Sequence, residues 1–156
     1  LSEMTTLLEA CQKFSNPDLE LVVIEPNHDP GADEVEQAIS QAGIAHVGTA
    51  PHSGFVQIMS HASVMVGNSS AGIREACYFG TPVVNVGIRQ QGRTVSRNVV
   101  NVPGRDANVI QQAIAGQLKH GRYPIEQPFG SGGAGEKITE ILATMELPPI
   151  QKRIRY

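Results

Sequence analysis

Cysteine is scarce: Cys11 and Cys77 are the only two among 156 residues, and both fall within helical patterns. A disulfide scaffold or a structural zinc site needs more cysteines at closer spacing. The two therefore read as reduced core thiols of a cytoplasmic protein, with no metal and no cofactor called for. Basic charge is not in excess either, the formal net charge being -3, so the electrostatic footprint of a nucleic-acid binder is missing. No apolar run approaches membrane-spanning length and no signal-peptide pattern opens the chain. Neither nucleic acid nor a membrane is expected as a partner. The chain also lacks a leading Met: Leu1 already lies in a helical pattern, which reads as an excised fragment.

Hydrophobic residues are 40% of the chain and charged residues 17%, the balance of a globular domain. Glycine (16) and proline (10) are frequent, and aromatics make up only 4%. Small residues and tight turns suit a βα-repeat protein that brings backbone close to a ligand.

Apolar periodicity then alternates along the chain. Helical spacing over Met4 to Phe14 is followed by a strand-like run from Leu19 to Ile24. The turn residues Asn27-His28-Asp29-Pro30-Gly31 precede a helix from Ala32 to Ala42, which Gly43 ends. Further strands are expected at Ile44 to Val47, Val64 to Val66, Pro82 to Val86 and Asn98 to Val102. Helices are expected at Phe55 to Ala62, Ala71 to Phe79, Asn108 to His120 and Glu136 to Met145. Tyr123 to Gly135, rich in Pro and Gly, reads as the one linker. Short strands alternating with helices predict an α/β fold, a doubly wound parallel sheet covered on both faces.

The stretch Val64-Met65-Val66-Gly67-Asn68-Ser69-Ser70-Ala71-Gly72-Ile73-Arg74-Glu75 runs from a strand through small polar residues into a helix. Such a turn lies at a strand's carboxyl end, where parallel sheets bind ligands. Ser69 or Ser70 can cap the helix, and the backbone N–H groups of Ser70, Ala71 and Gly72 favour a phosphate there. Gly72 removes a Cβ from the approach. Glu75, about one turn on, suits the two hydroxyls of a ribose better than a phosphate. The same residues also suit a plain N-cap followed by a solvated glutamate. The next strand ends in Val86-Gly87-Ile88-Arg89-Gln90-Gln91-Gly92-Arg93. Arg89 is placed to meet a diphosphate; Arg93 and Gln90 are candidates for a sugar or a partner domain, with a solvent-exposed loop arginine the alternative for Arg93. Of five histidines, His28 and His52 fall in loops at strand carboxyl ends. His46 and His61 are expected to be packing residues, and His120 sits at a helix C-terminus that suits a cation. None reads as a catalytic base.

Gly67-Asn68-Ser69-Ser70-x-Gly72-Ile73-x-Glu75, followed by Gly80-x-Pro82-x-x-Asn85-x-Gly87-x-Arg89-Gln90-x-Gly92-Arg93, resembles the hydrolysing UDP-N-acetylglucosamine 2-epimerases. The likeness extends from about Leu21 to Leu147. It implies the C-terminal half of a two-domain GT-B enzyme, with residues 1–156 a UDP-binding domain and 136–156 a helix and tail that pack on an N-terminal domain. It further implies that Ser69 and Ser70 hold the diphosphate, Glu75 the ribose and Arg89 the phosphate region. Ala50 would lie against the uracil, and Asn27 with the Asp29-x-Gly31 turn would line the cleft. The implied reaction converts UDP-GlcNAc and water to ManNAc and UDP, through loss of UDP with removal of the C2 proton to a glycal, then hydration of the other face. The implied partners are UDP-GlcNAc or UDP, the N-terminal domain and further copies of the whole enzyme. The family's catalytic carboxylates and histidine precede this segment, so no catalytic residue is expected here and the chain alone is expected to be inactive. Gly130-Ser131-Gly132 departs from the family's Gly-Asp-Gly and lacks its carboxylate. An epimerase for a related UDP-diacetamido sugar, or the C-terminal domain of a GT-B glycosyltransferase, shares most of these features.

Overall fold

A computed structural model describes residues 3–25, 31–44, 46–48 and 50–146. Among them the order is α1 (Glu3–Gln12), β1 (Val23–Ile24), α2 (Ala32–Ala42), β2 (His46–Val47), α3 (His52–His61), β3 (Met65–Gly67), α4 (Ser70–Arg74), a 3-10 turn (Ala76–Phe79), β4 (Val83–Val86), β5 (Val99–Val102), α5 (Ala107–His120) and α6 (Ala134–Thr144). Every strand pairing is parallel, as the βα alternation predicts. The hydrogen bonding falls into two pieces, β1 beside β2 and the three strands β3-β4-β5.

The three-stranded piece is covered on both faces, and its register shows how. Met65, Val83 and Val99 are aligned across the strands, as are Val66, Val84 and Val100. Alternate residues of a strand point to opposite faces. Val84, Val86 and Val102 pack with Ala10 of α1 and with Ile110 and Ile114 of α5. Val83 turns the other way, onto Met59 of α3 and Ala76 of the 3-10 turn, with Met65 and Val99 beside it. Central β4 is buried along its whole length, the near-continuous apolar run of a strand covered on both faces. Helix α1 reaches both pieces, because its Leu8 packs separately with Val23 of β1 and Ile39 of α2.

A second, polar layer ties the amino end of β4 to the helices. Gln117 of α5, only 2% exposed, donates through Nε2 to the carbonyls of Val83 (2.8 Å) and Asn98 (2.9 Å). Its Oε1 accepts from the Tyr123 hydroxyl at 2.7 Å. Asn98 donates to the Thr81 carbonyl at 2.7 Å, and the Thr81 hydroxyl to the Met59 carbonyl at 2.9 Å. The Arg122 guanidinium donates to the carbonyls of Phe79, Ser60 and Ala62, joining the end of α3 to the segment before β4.

Several local expectations change. The strand read from Leu19 contracts to Val23–Ile24, because Asn16 and Leu19 pair with each other in a tight turn and the Asn16 side chain accepts the Asp18 N–H. The helix read over Ala71 to Phe79 ends at Arg74, and Glu75 leads into a separate 3-10 turn. Gly80 closes that turn at φ 63°, and a Cβ there would lie 2.0 Å from the Tyr123 carbonyl oxygen, so only glycine fits. That approach also corrects the linker reading: Tyr123 and Glu126 donate their N–H groups to Gly80 and Cys77, and the Tyr78 hydroxyl donates to the Gly130 carbonyl at 2.7 Å. The segment is docked on the domain. His46 and His61 are exposed rather than packed: His46 Nε2 meets Glu25 Oε1 at 2.9 Å, and His61 Nδ1 lies 2.9 Å from the Gln57 carbonyl. His120 stacks on Tyr123 with ring centroids 3.9 Å apart. Both cysteines are free thiols, and burial pushes that of Cys11 up to about 11.

Candidate nucleotide site

The turn after β3 and the loop after β4 leave neighbouring parallel strands at the same end. Gly67 pairs with Asn85, so both chains emerge side by side at the carboxyl edge of the sheet, the ligand edge of such folds. Ser69 is the N-cap of α4, in extended conformation, its Oγ accepting the Ala71 N–H at 3.3 Å. Asn68, Ser69 and Ser70 are exposed, whereas Ala71 and Gly72 are buried. The Gly72 N–H points back to the Ser69 carbonyl at 3.3 Å. A Cβ on Gly72 would meet Val83 Cγ1 at 3.0 Å and Met65 Sδ at 3.7 Å. Gly72 thus has a packing reason the sequence reading lacked: it lets α4 sit close on β3 and β4. The N–H groups of Ala71 and Gly72 are engaged within the turn, which leaves Ser69, Ser70 and Asn68 as its exposed polar face.

Glu75 follows as the C-cap of α4, half-buried, its N–H bonded to the Ala71 carbonyl at 2.9 Å. Its carboxylate makes no ion pair among the described residues. With α4 ending at Arg74, little macrodipole is available, and the turn presents mainly its exposed polar residues.

The loop from Gly87 folds in two successive turns, Gln91 N–H to the Ile88 carbonyl at 2.9 Å and Arg93 N–H to the Gln90 carbonyl at 3.2 Å. Ile88, Arg89, Gln91 and Arg93 are exposed. Gln90 alone between them is buried, 4% exposed, and its Nε2 donates to the Asn68 carbonyl at 2.7 Å. The arginine loop is therefore fastened to the serine turn. The Gln90 side chain is thus engaged within the domain, with its Oε1 lacking a donor among the described residues. Sequence reasoning also passed over the pair Asn85 and Asn101. Both sit in the tetrapeptide Val-Val-Asn-Val, and the two copies align in register, with Asn85 Nδ2 donating to Asn101 Oδ1 at 2.8 Å. A polar residue recurring in an apolar strand was the available signal.

Ala50 is half-buried just before Pro51, the N-cap of α3, on the carboxyl side of β2. Asn27, His28 and Asp29 lie outside the described residues. His52 is the exposed first residue of α3. A depression of about 220 Å³ is lined by Glu25, Glu36, Ile39, Ser40 and His46, and none of the candidate site residues among the described ones borders it. Among the described residues no cluster of His, Cys, Asp or Glu could hold a metal ion, and no helix is long and apolar enough to cross a membrane.

A doubly wound, Rossmann-like domain with paired loops at the carboxyl edge of its sheet is the class this architecture defines. The family profile described as UDP-N-acetylglucosamine 2-epimerase matches residues 1–143, and the chain belongs to that family. It is 29% identical over 143 residues to UDP-N-acetylglucosamine 2-epimerase of Neisseria meningitidis serogroup B, an alignment covering 87% of this chain and 37% of the relative. It is 30% identical over 138 residues to UDP-N,N'-diacetylbacillosamine 2-epimerase (hydrolyzing) of Legionella pneumophila, covering 83% of this chain and 35% of the relative. In fold it is similar to the crystal structure of the Neisseria meningitidis UDP-GlcNAc 2-epimerase bound to UDP-GlcNAc, with a TM-score of 0.66 at 18% identity, over 92% of this chain and 41% of the other. The chain thus spans little more than a third of the length of the curated relatives it matches.

Proposed function

We infer that this chain is the UDP-binding half of a cytoplasmic, hydrolysing UDP-N-acetylglucosamine 2-epimerase of GT-B architecture, which converts UDP-GlcNAc and water to ManNAc and UDP. The observation that carries the reading is the junction of the two loops, Gln90 Nε2 on the Asn68 carbonyl. It holds the Arg89 loop against the Ser69-Ser70 turn, so a cation and hydroxyl donors converge where a diphosphate can sit. In this reading Ser69 and Ser70 bind the phosphates, Arg89 neutralises them, Glu75 takes the ribose hydroxyls, and Ala50 and Asn27 line the base side of the cleft. Fixed donors aimed at a departing diphosphate stabilise the charge that builds up as it leaves. Because α4 is short, more of that work falls to Arg89 than a long helix would leave it. Arg93 faces the sugar or the partner domain.

The general base and acid come from an N-terminal domain, and α6 docks on it. Support for the docking is the helix itself: it has no buried residue, and Ile138, Ile141, Leu142 and Met145 present an exposed apolar stripe at helical spacing. The whole enzyme acts as a homo-oligomer. Family membership leaves the glycosyltransferase alternative without support. The diacetamido-sugar alternative keeps one specific observation in its favour, since the Legionella relative is as similar as the Neisseria one.

Product analysis tests this reading. A protein carrying this segment and the N-terminal domain should release ManNAc and UDP from UDP-GlcNAc, and the 156-residue chain alone should release none. Turnover only of a UDP-diacetamido sugar would move the substrate to the alternative, and ManNAc release by the chain alone would place catalytic groups in this half.

A further inference from the structure

One polar side chain in the arginine loop behaves unlike its neighbours. Ile88 is 81% exposed while Gln90, two residues on, is 4% exposed. Burying an amide costs free energy unless it is hydrogen-bonded. The Gln90 amide has one strong bond, Nε2 to the Asn68 carbonyl at 2.7 Å, and its Oε1 has no donor among the described residues. That bond links two segments 22 positions apart in sequence. It fixes the carbonyl immediately before the N-cap Ser69, and from the other side it fixes the backbone between Arg89 and Arg93. The Arg93 N–H bonds to the Gln90 carbonyl, so the anchor also sets the second turn of the loop.

Resting on the nucleotide reading above, we propose that Gln90 is a positioning residue: through Asn68 it sets the distance between the arginine loop and the serine turn, and so the fit of the site to a nucleoside diphosphate. Its Nε2 spends one of its two N–H groups on the Asn68 carbonyl. Ile88, Arg89, Gln91 and Arg93 around it are exposed, so Gln90 is the buried point of the loop. Without the anchor the loop and the serine turn would lose this side-chain link between them, and restoring their spacing would be charged against binding of the diphosphate. A nucleoside without phosphates makes no use of this geometry.

The test uses Gln90→Met, which keeps the length and volume of the side chain without the amide, and Gln90→Asn, which keeps the amide but is one methylene short of Asn68. UDP and uridine are titrated calorimetrically into the wild-type chain and both variants, with melting temperatures recorded. Loss of one buried hydrogen bond predicts a UDP affinity lower by on the order of three- to tenfold in both variants, with uridine affinity unchanged. In an Arg89→Ala background the Gln90→Met substitution should weaken UDP by a smaller factor, since part of what it positions is gone. Unchanged UDP affinity in either variant, an equal fall for uridine, or an undiminished effect in the Arg89→Ala background overturns the positioning role and leaves the nucleotide reading standing. Absence of UDP binding by the wild-type chain overturns both.

Discussion

Glu75 shows how much a single position depends on its neighbours. From spacing alone it could be a ribose ligand or a solvated helix residue. In the structure it caps a five-residue helix, half-buried, with its carboxylate free of ion pairs among the described residues. A half-buried, unpaired carboxylate loses hydration without gaining a cation, which is easier to understand if hydroxyl donors complete it. Glu75→Ala should therefore weaken UDP by the worth of a charge-assisted contact, about 1.5–3 kcal/mol, while 2′,3′-dideoxy-UDP should bind both forms alike. Parallel isothermal titrations measure this, and equal losses for the two ligands would remove Glu75 from the ribose. The placement of the serines and Arg89 at the carboxyl ends of neighbouring strands was legible, because they directly follow apolar runs. Gln90 was not legible. Nothing in Arg89-Gln90-Gln91 says which glutamine turns inward, because that depends on where the Asn68 carbonyl lies, and only the strand register sets that.

Among the elements, α2 came out at the residues its periodicity and Gly43 predict, since both of its ends are set locally. Apart from the strand shortened by the local Asn16–Leu19 turn, two departures involve packing or partners beyond the segment itself. The helix read through Phe79 breaks at Glu75 because Ala76 and Cys77 dock into the core as a tighter turn. The Pro/Gly-rich stretch after Tyr123 looked like a linker because its composition is that of a loop; backbone bonds to Gly80 and Cys77 make it part of the domain. Gln117 matters most here. On the helical wheel of α5 it is one more glutamine, yet it satisfies two backbone carbonyls and accepts from Tyr123. Gln117→Leu would fill the volume but remove this partner from the Val83 carbonyl and the Tyr123 hydroxyl, while the Asn98 carbonyl keeps the Val83 N–H. Each unsatisfied group costs on the order of 1–3 kcal/mol, so urea unfolding should show a loss of at least about 2 kcal/mol. A variant as stable as wild type would mean that the polar layer adds nothing to the apolar core.

For the molecule as a whole, the parallel α/β class followed from the alternation of short apolar runs with amphipathic stretches, and the motif pair between Gly67 and Arg93 pointed to the family. The separation of the sheet into two hydrogen-bonded pieces did not show, because periodicity carries no information on strand order. The account rests on one claim: two loops from neighbouring strands, one bearing serines and the other Arg89, form a single diphosphate site. Titration of UDP and uridine into the wild-type chain, Arg89→Lys and Arg89→Ala tests it most directly, with melting temperature as a control. Lysine keeps the charge and loses the planar, bidentate geometry, and alanine loses both. UDP affinity should fall in the order Arg, Lys, Ala, by at least about tenfold from first to last, while uridine affinity and melting temperature hold. Equal losses for UDP and uridine, or a change in melting temperature alone, would contradict the claim.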